Sequence, residues 1–157
     1  MIFREAEIKD IEQMMTVRMS VKENILSNPA LVPYEDMVDY ISIRGKGWVY
    51  EINKTIVGFS ICDLKDNSVW ALFIHPDAEG KGIGKKLQIL MLDWYFSKTD
   101  KTIWLETAAN TRAENFYTTS GWTEIKRTTK QPSNPAFPPY TELRLELTKQ
   151  DWKKKRP

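Results

Sequence analysis

Ser68-Val69-Trp70-Ala71-Leu72-Phe73-Ile74-His75-Pro76-Asp77-Ala78-Glu79-Gly80-Lys81-Gly82-Ile83-Gly84-Lys85-Lys86-Leu87 decides the fold. Val69 to Ile74 is an unbroken apolar block, too short for an ordinary helix and suited to a strand covered on both faces. His75 and Pro76 stop it. Glycines then alternate with other residues at positions 80, 82 and 84, and apolar Ile83, Leu87, Leu90, Met91 and Trp94 follow at helical spacing. Strand, glycine turn and helix start together describe an anion site. The first helical N–H groups have no internal acceptor, the helix dipole places partial positive charge there, and glycine lets a phosphate approach the backbone. Lys81, Lys85 and Lys86 add charge. The letters match neither a P-loop, since three residues rather than four separate Gly80 from Gly84 and Lys86 replaces the hydroxyl, nor the dinucleotide fingerprint, whose third glycine would fall at Leu87. A pyrophosphate is the natural guest. A loop that merely turns the chain is the alternative on these letters alone.

Working outward, the 157 residues suit one domain with a real core, and 41% hydrophobic and 28% charged residues exclude a disordered or fibrous chain. No apolar run reaches the length of a membrane span and the N-terminus lacks a signal-peptide core, so a cytoplasmic protein is expected. A net charge of +2 leaves no general nucleic-acid footprint. The one basic cluster, Lys153-Lys154-Lys155-Arg156, reads as part of a mobile tail over residues 151–157 that follows a single domain over residues 1–150. The single Cys62 rules out an internal disulfide, lies in a strand-like run and reads as a buried inert thiol; no Cys/His spacing suits a metal.

Residues 2–6 look like a first strand, and Ile8, Ile11, Met14, Met15 and Met19 recur at helical spacing in a first helix running to about Lys22. A connection over residues 23–32 precedes a second helix after Pro33. Three antiparallel strands joined at Asn53-Lys54 and Asp66-Asn67 lead into the central block. The helix after the glycines crosses to a strand over residues 102–107, which should lie parallel to the central one. A short helix between Asn110, a fair N-cap, and Gly121 precedes a last pair of strands over residues 123–129 and 142–147. The proline-rich segment 131–140 between them reads as a lid, a pocket wall or an oligomer contact.

Central strand, Glu79-x-x-Gly82-x-Gly84 with its helix, and Asn110-x-x-Ala113-x-x-Phe116-Tyr117-x-x-x-Gly121-Trp122, in that order, resemble the GNAT superfamily of acetyl-coenzyme A dependent N-acetyltransferases. The resemblance covers nearly the whole chain. It implies a GNAT-type acyl-CoA N-acyltransferase fold, an α/β domain whose mixed, mostly antiparallel, twisted sheet of about seven strands is flanked by about four helices. One letter departs from the pattern: Glu79 stands where the family has Gln or Arg, placing a negative charge near the expected phosphates.

The resemblance also implies roles. Backbone around Gly80, Lys81, Gly82, Ile83, Gly84 and Lys85 would hold the pyrophosphate of acetyl-CoA, and the central strand near Phe73 and Ile74 would pair with the pantetheine arm. Asn110, Ala113 and Phe116 would complete the cofactor site, and Tyr117 would lie near the sulfur as general acid. A primary amine with a pKa of roughly 10.4 must lose a proton before it attacks. Glu106 is the candidate base, with His75 or a water relay as alternatives. No metal and no covalent intermediate are expected. Residues 26–40 and 131–140 would build the acceptor site, where Glu35, Asp36, Trp48 and Tyr140 suit a small cationic amine. A peptide N-terminus or lysine is the runner-up. A non-catalytic CoA-binding module is the reading of another class. No nucleic-acid or membrane partner is expected, and a homodimer is left open.

Overall fold

The computed structural model describes residues 1–22 and 33–157. The expected connection over residues 23–32 therefore lies outside the described residues. Asn53 and Lys54 hold φ of 51° and 65°, the left-handed pair that makes a two-residue hairpin turn matching the twist of its flanking strands. That turn joins β2 (Gly45–Ile52) to β3 (Thr55–Asp63), and a second turn with Asn67 at φ 56° leads into β4 (Ser68–Ile74). β1 (Ile2–Glu5) pairs antiparallel with β2, so the first four strands form an antiparallel meander. β5 (Ile103–Ala108) joins β4 in parallel, and the hairpin of β6 (Thr123–Lys130) and β7 (Tyr140–Leu147) folds back so that β7 pairs with β5. The seven-stranded mixed sheet has the order β1-β2-β3-β4-β5-β7-β6. The expected fold class stands.

Strand alternation sends side chains to two cores. Val49, Phe59, Ile61 and Ala71 face α1 (Ile11–Ser20) and α2 (Tyr34–Asp39), where Ile11, Met14, Val17 and Met37 are buried. Trp48, Tyr50, Cys62 and Val69 face the other way, against Leu87, Met91, Leu92 and Tyr95 of α3 (Ile83–Lys98). α4 (Arg112–Thr119) follows β5. Cys62 is fully buried and its thiol is pushed well above the ordinary range by that burial, which suppresses the reactive thiolate. Among the described residues no helix is long and apolar enough to cross a membrane.

The end of the chain differs from the expected tail. Lys149–Lys155 forms a fifth helix, α5, capped by Thr148, whose hydroxyl accepts from the Asp151 N–H. Trp152 is 3% exposed and donates through Nε1 to Asp93 of α3 at 3.1 Å, and Arg156 grips the same carboxylate at 2.8 Å. Basic residues suit the last turn of a helix, where the dipole is negative, and one indole in the core supplies the apolar anchor that four consecutive cations conceal in the sequence.

Candidate active site

β4 and β5 share one register position, Ser68 with Trp104, and then part. The cause lies in β4: Ile61 of β3 opposes Ala71 but Cys62 opposes Val69, so Trp70 is an extra residue, a bulge that bends the strand. Tyr40 stacks on the Trp70 ring at 4.0 Å and fixes it there. Beyond the bulge Leu72, Phe73 and Ile74 still pair with β3, while their other edge opens onto the gap. Two cavities fill the opening, one of about 990 Å³ and one of about 670 Å³. Lys22, Leu72, Phe73, Ala113 and Tyr117 line both.

The larger cavity lies over the glycine turn. Gly80 and Gly82 hold φ of 77° and 80°, and Gly82 is the N-cap of α3. A Cβ at either would meet nothing within 4 Å, so the backbone torsion rather than crowding demands glycine, and the space beside it is open to an anion. Ile83 is buried and pins the helix start against the sheet. Of the expected cofactor residues, Phe73, Ile74, Gly80, Gly82, Ile83, Gly84, Lys85, Ala113 and Phe116 line this cavity, together with Tyr117. Lys81 and Asn110 are exposed and do not. Asn110 does not cap α4 either. It holds φ 62° and its N–H donates to Glu114 Oε1 at 2.7 Å, while Thr111 is the N-cap, its hydroxyl accepting from the Glu114 N–H at 3.3 Å. Glu79, the departure from the family pattern, pairs with Arg112 at 3.1 Å. Both are too exposed for the pair to add much stability, but the guanidinium offsets the carboxylate's charge beside the helix start.

Tyr117 is 6% exposed and held on two sides: Phe116 and Trp122 meet its ring edgewise at 5.2 and 5.5 Å. Trp122 donates through Nε1 to Gln88 Oε1 at 3.0 Å, and Gln88 donates to Ser120, so α3 and α4 fix the aromatic cluster jointly. Burial pushes the Tyr117 phenol above its ordinary range, which keeps it protonated at neutral pH.

Glu106 lines the smaller cavity and has a neighbour that sequence reasoning missed. The register pairs Glu106 with Arg144 and Ala108 with Glu142, which sets Glu142 diagonally across from Glu106 on the same face. Partial burial, then the hydrogen bond and charge of Glu106, push Glu142 up to about 7, with Lys130 at 3.5 Å acting in the opposite direction. His75, the alternative base, lies outside both cavities. Its Nδ1 accepts the Asp77 N–H at 3.1 Å, which shapes the turn before the glycines.

Phe59, Phe73, Met37 and Tyr140 also line the smaller cavity, as do Gln131, Pro132 and Phe137 of the proline-rich segment. The other acceptor candidates fall elsewhere. Trp48 is buried edge-on against Trp94 at 5.7 Å in the opposite core, because strand alternation turns it toward α3. Glu35 and Asp36 are exposed in the first turn of α2, outside both cavities. The expected stretch 26–32 lies outside the described residues. Arg18 of α1 was also missed. It reaches the cavity over the face of Phe73, 4.1 Å from the ring centre, and its Nη1 is buried without a hydrogen-bond partner among the described residues. The sequence does carry signals for both omissions. Arg18 follows Met14 by four residues on the buried face of α1, and Glu142 alternates with buried Leu143 and Leu145 on a strand.

No curated protein matches the sequence. Among solved structures the chain is similar to the ribosomal-protein-S18-alanine N-acetyltransferase from Escherichia coli, with TM-score 0.76 and 17% identity over 94% of this chain and 92% of that one. It is similar also to a GCN5-related N-acetyltransferase from Kribbella flavida, with TM-score 0.76 and 16% identity over 94% and 96% of the two chains. A third is yncA from Salmonella typhimurium, whose structure is described with its cofactor acetyl-CoA, with TM-score 0.75 and 15% identity over 94% and 92%. At these identities the likeness is one of fold. The family model described as the Acetyltransferase (GNAT) family matches residues 12–122, and with the parted strands and the glycine-led helix already in place, the chain belongs to that family.

Proposed function

We propose that the protein transfers the acetyl group of acetyl-CoA to a primary amine by direct attack within a ternary complex. The observation that carries this reading is Tyr117, a buried phenol lining both the cavity over the glycine turn and the one that holds the carboxyl pair. A thioester entering from the first cavity and an amine entering from the second would meet beside it. The N–H groups at the start of α3 would hold the pyrophosphate, and the free edge of β4 on either side of Phe73, at Leu72 and Ile74, would pair with the pantetheine arm.

Glu106, with Glu142 sharing its charge, takes a proton from the ammonium group. Glu142, pushed up to about 7, lets the pair take up that proton at neutral pH. The freed lone pair attacks the thioester carbon, the C–S bond breaks, Tyr117 donates its proton to the departing thiolate, and the nitrogen gives up its second proton, through water, to restore the phenol. One ammonium and one acetyl-CoA give one amide, one CoA thiol and one proton. Pairing of Glu79 with Arg112 leaves the phosphate site without a net repulsive charge from that residue.

The carboxyl pair supports an acceptor that enters as a cation, in keeping with a small amine. A peptide N-terminus is the second reading, favoured by the similarity in fold to the ribosomal-protein-alanine enzyme. A CoA-binding module without catalysis would have no use for the carboxyl pair across from Tyr117. Thiol release from acetyl-CoA against amines, amino acids and peptides tests the reading. Release that depends on one acceptor class supports it. CoA binding, measured by calorimetry, without release for any class would leave only the binding module.

A further inference from the structure

We propose that Arg18 is a specificity determinant of the acceptor cavity, which takes an amine that also carries a carboxylate. The inference rests on the transferase reading of the same site and narrows its substrate class. Three observations carry it.

The first is how the fold treats its other arginines. Arg4 meets Asp10 at 2.8 Å, Arg44 meets Asp63 at 2.7 Å and Arg156 meets Asp93 at 2.8 Å, each with a carboxylate on a neighbouring element. Among the described residues Arg18 is the exception: its Nη1 is buried and makes no hydrogen bond, and its charge lies over the ring of Phe73. A buried guanidinium without an anion is unfavourable unless a ligand supplies one. Burial accordingly pulls the Arg18 pKa down to about 10, which still leaves it charged at neutral pH.

The second is the distribution of charge around the cavity. Arg18 and Lys22 stand at its α1 side, and Glu106 and Glu142 stand on β5 and β7. A polycation would satisfy the carboxyl pair and face Arg18 with a like charge. A molecule with an ammonium at one end and a carboxylate at the other satisfies both. The third is fit. A cavity of about 670 Å³ is of small-molecule size, and the planar guanidinium fork receives a carboxylate through two parallel hydrogen bonds. Phe73 joins the two sites, since its ring carries Arg18 and its side chain lines both cavities.

The same pairing of ammonium and carboxylate is found in a free amino acid and at the N-terminus of a peptide that begins with an acidic residue. Initial rates of thiol release should therefore be measured for three sets of acceptors: free amino acids, the same amino acids as carboxamides, and dipeptide amides with acidic or neutral first residues. The wild type should prefer the carboxylate-bearing member of its pair by about tenfold or more in kcat/KM. Preference confined to the free amino acids identifies a metabolite acceptor, and preference confined to the acidic dipeptides identifies a peptide. Arg18→Met keeps the packing on Phe73 and removes the charge, so it should erase the preference through the KM of the carboxylate-bearing acceptor, leaving kcat within about twofold. Arg18→Lys, which keeps charge without the fork, should retain part of it. Carboxamides used as well as carboxylates by the wild type, or a preference unchanged in Arg18→Met, overturns the proposal. Should no acceptor release thiol, calorimetric titration of the CoA-bound protein with the same amino acids decides separately. Binding that requires Arg18 upholds the subsite and discards the chemistry, and no carboxylate binding refutes the subsite.

Discussion

Replacing Glu106 by glutamine keeps the shape of the side chain and removes its charge, and the structure says how Glu142 should respond. Glu142 titrates at about 7 against an ordinary 4.5, held up first by partial burial and next by the hydrogen bond and charge of Glu106, with Lys130 opposing. Glu106→Gln leaves the burial and removes the like charge, so the Glu142 carboxyl should fall back by about one pH unit. The sign for activity follows. Glu142 must be ionised for the pair to accept a further proton, so wild-type kcat/KM should rise as pH passes through about 7. In Glu106→Gln the rise should move to lower pH, and because the remaining carboxylate is a weaker base the plateau should fall, by about 10- to 100-fold at pH 7. The deficit should shrink toward high pH, where the amine arrives already deprotonated. Thiol release between pH 5.5 and 9.5, with infrared titration of the carboxyl band, measures both effects. An unmoved midpoint with a constant ratio of variant to wild type would return Glu106 to the status of an exposed strand residue.

Gly82→Val should cost about 1–2 kcal/mol of stability through its φ of 80° and weaken CoA binding by more than that strain explains, because the new side chain enters the open space beside the helix start. Calorimetry against CoA and pantetheine reads this, and unchanged CoA affinity in a folded variant refutes the loop assignment. Tyr117→Phe should preserve fold and CoA affinity and lower the single-turnover rate by about 10- to 100-fold, the low end for a general acid because the thiolate is a fair leaving group. A wild-type chemical rate would reduce Tyr117 to packing. Asp10 is buried beneath the Arg4 fork and held below the ordinary carboxylate range by it, so Asp10→Asn should lose about 2–3 kcal/mol by urea denaturation at pH 7. Its folded pKa lies below the unfolded value, so its contribution is present above about pH 4 and vanishes as pH falls through the folded pKa. A deficit that persists unchanged at pH 3 would show that packing, not charge, is at stake.

What the sequence discloses and what it hides divide along the range of the interactions involved. The glycine turn is legible because its chemistry is local: left-handed torsions at Gly80 and Gly82 and an apolar stripe on α3 all lie within one short stretch. The partnership of Glu106 and Glu142 is not, since it depends on β7 inserting between β5 and β6 in one register out of several. Asn110 and Thr111 are both good cap residues, and geometry chose the second by placing the first at φ 62°. In α5 one tryptophan outweighs a basic run that reads as solvated. A single large burial decides the state of a short helix, and composition averages it away.

The cleft itself follows from a sheet that fails to close. Trp70 adds one residue to β4, and the added residue tips the strand away from β5 after a single shared pair. An open edge within a sheet is costly, because its N–H and C=O groups lack partners, and it is tolerated where a ligand completes it. Here the gap is framed by elements that each bring one kind of group. The helix start brings bare N–H groups, α4 a buried phenol, β5 and β7 a carboxyl pair, and α1 a guanidinium with no anion beside it among the described residues. These groups match the parts of the proposed reactants in turn: phosphate, departing sulfur, ammonium and carboxylate. Reaction would then be confined to the wall that both cavities share, where Tyr117 stands with Leu72, Phe73 and Ala113.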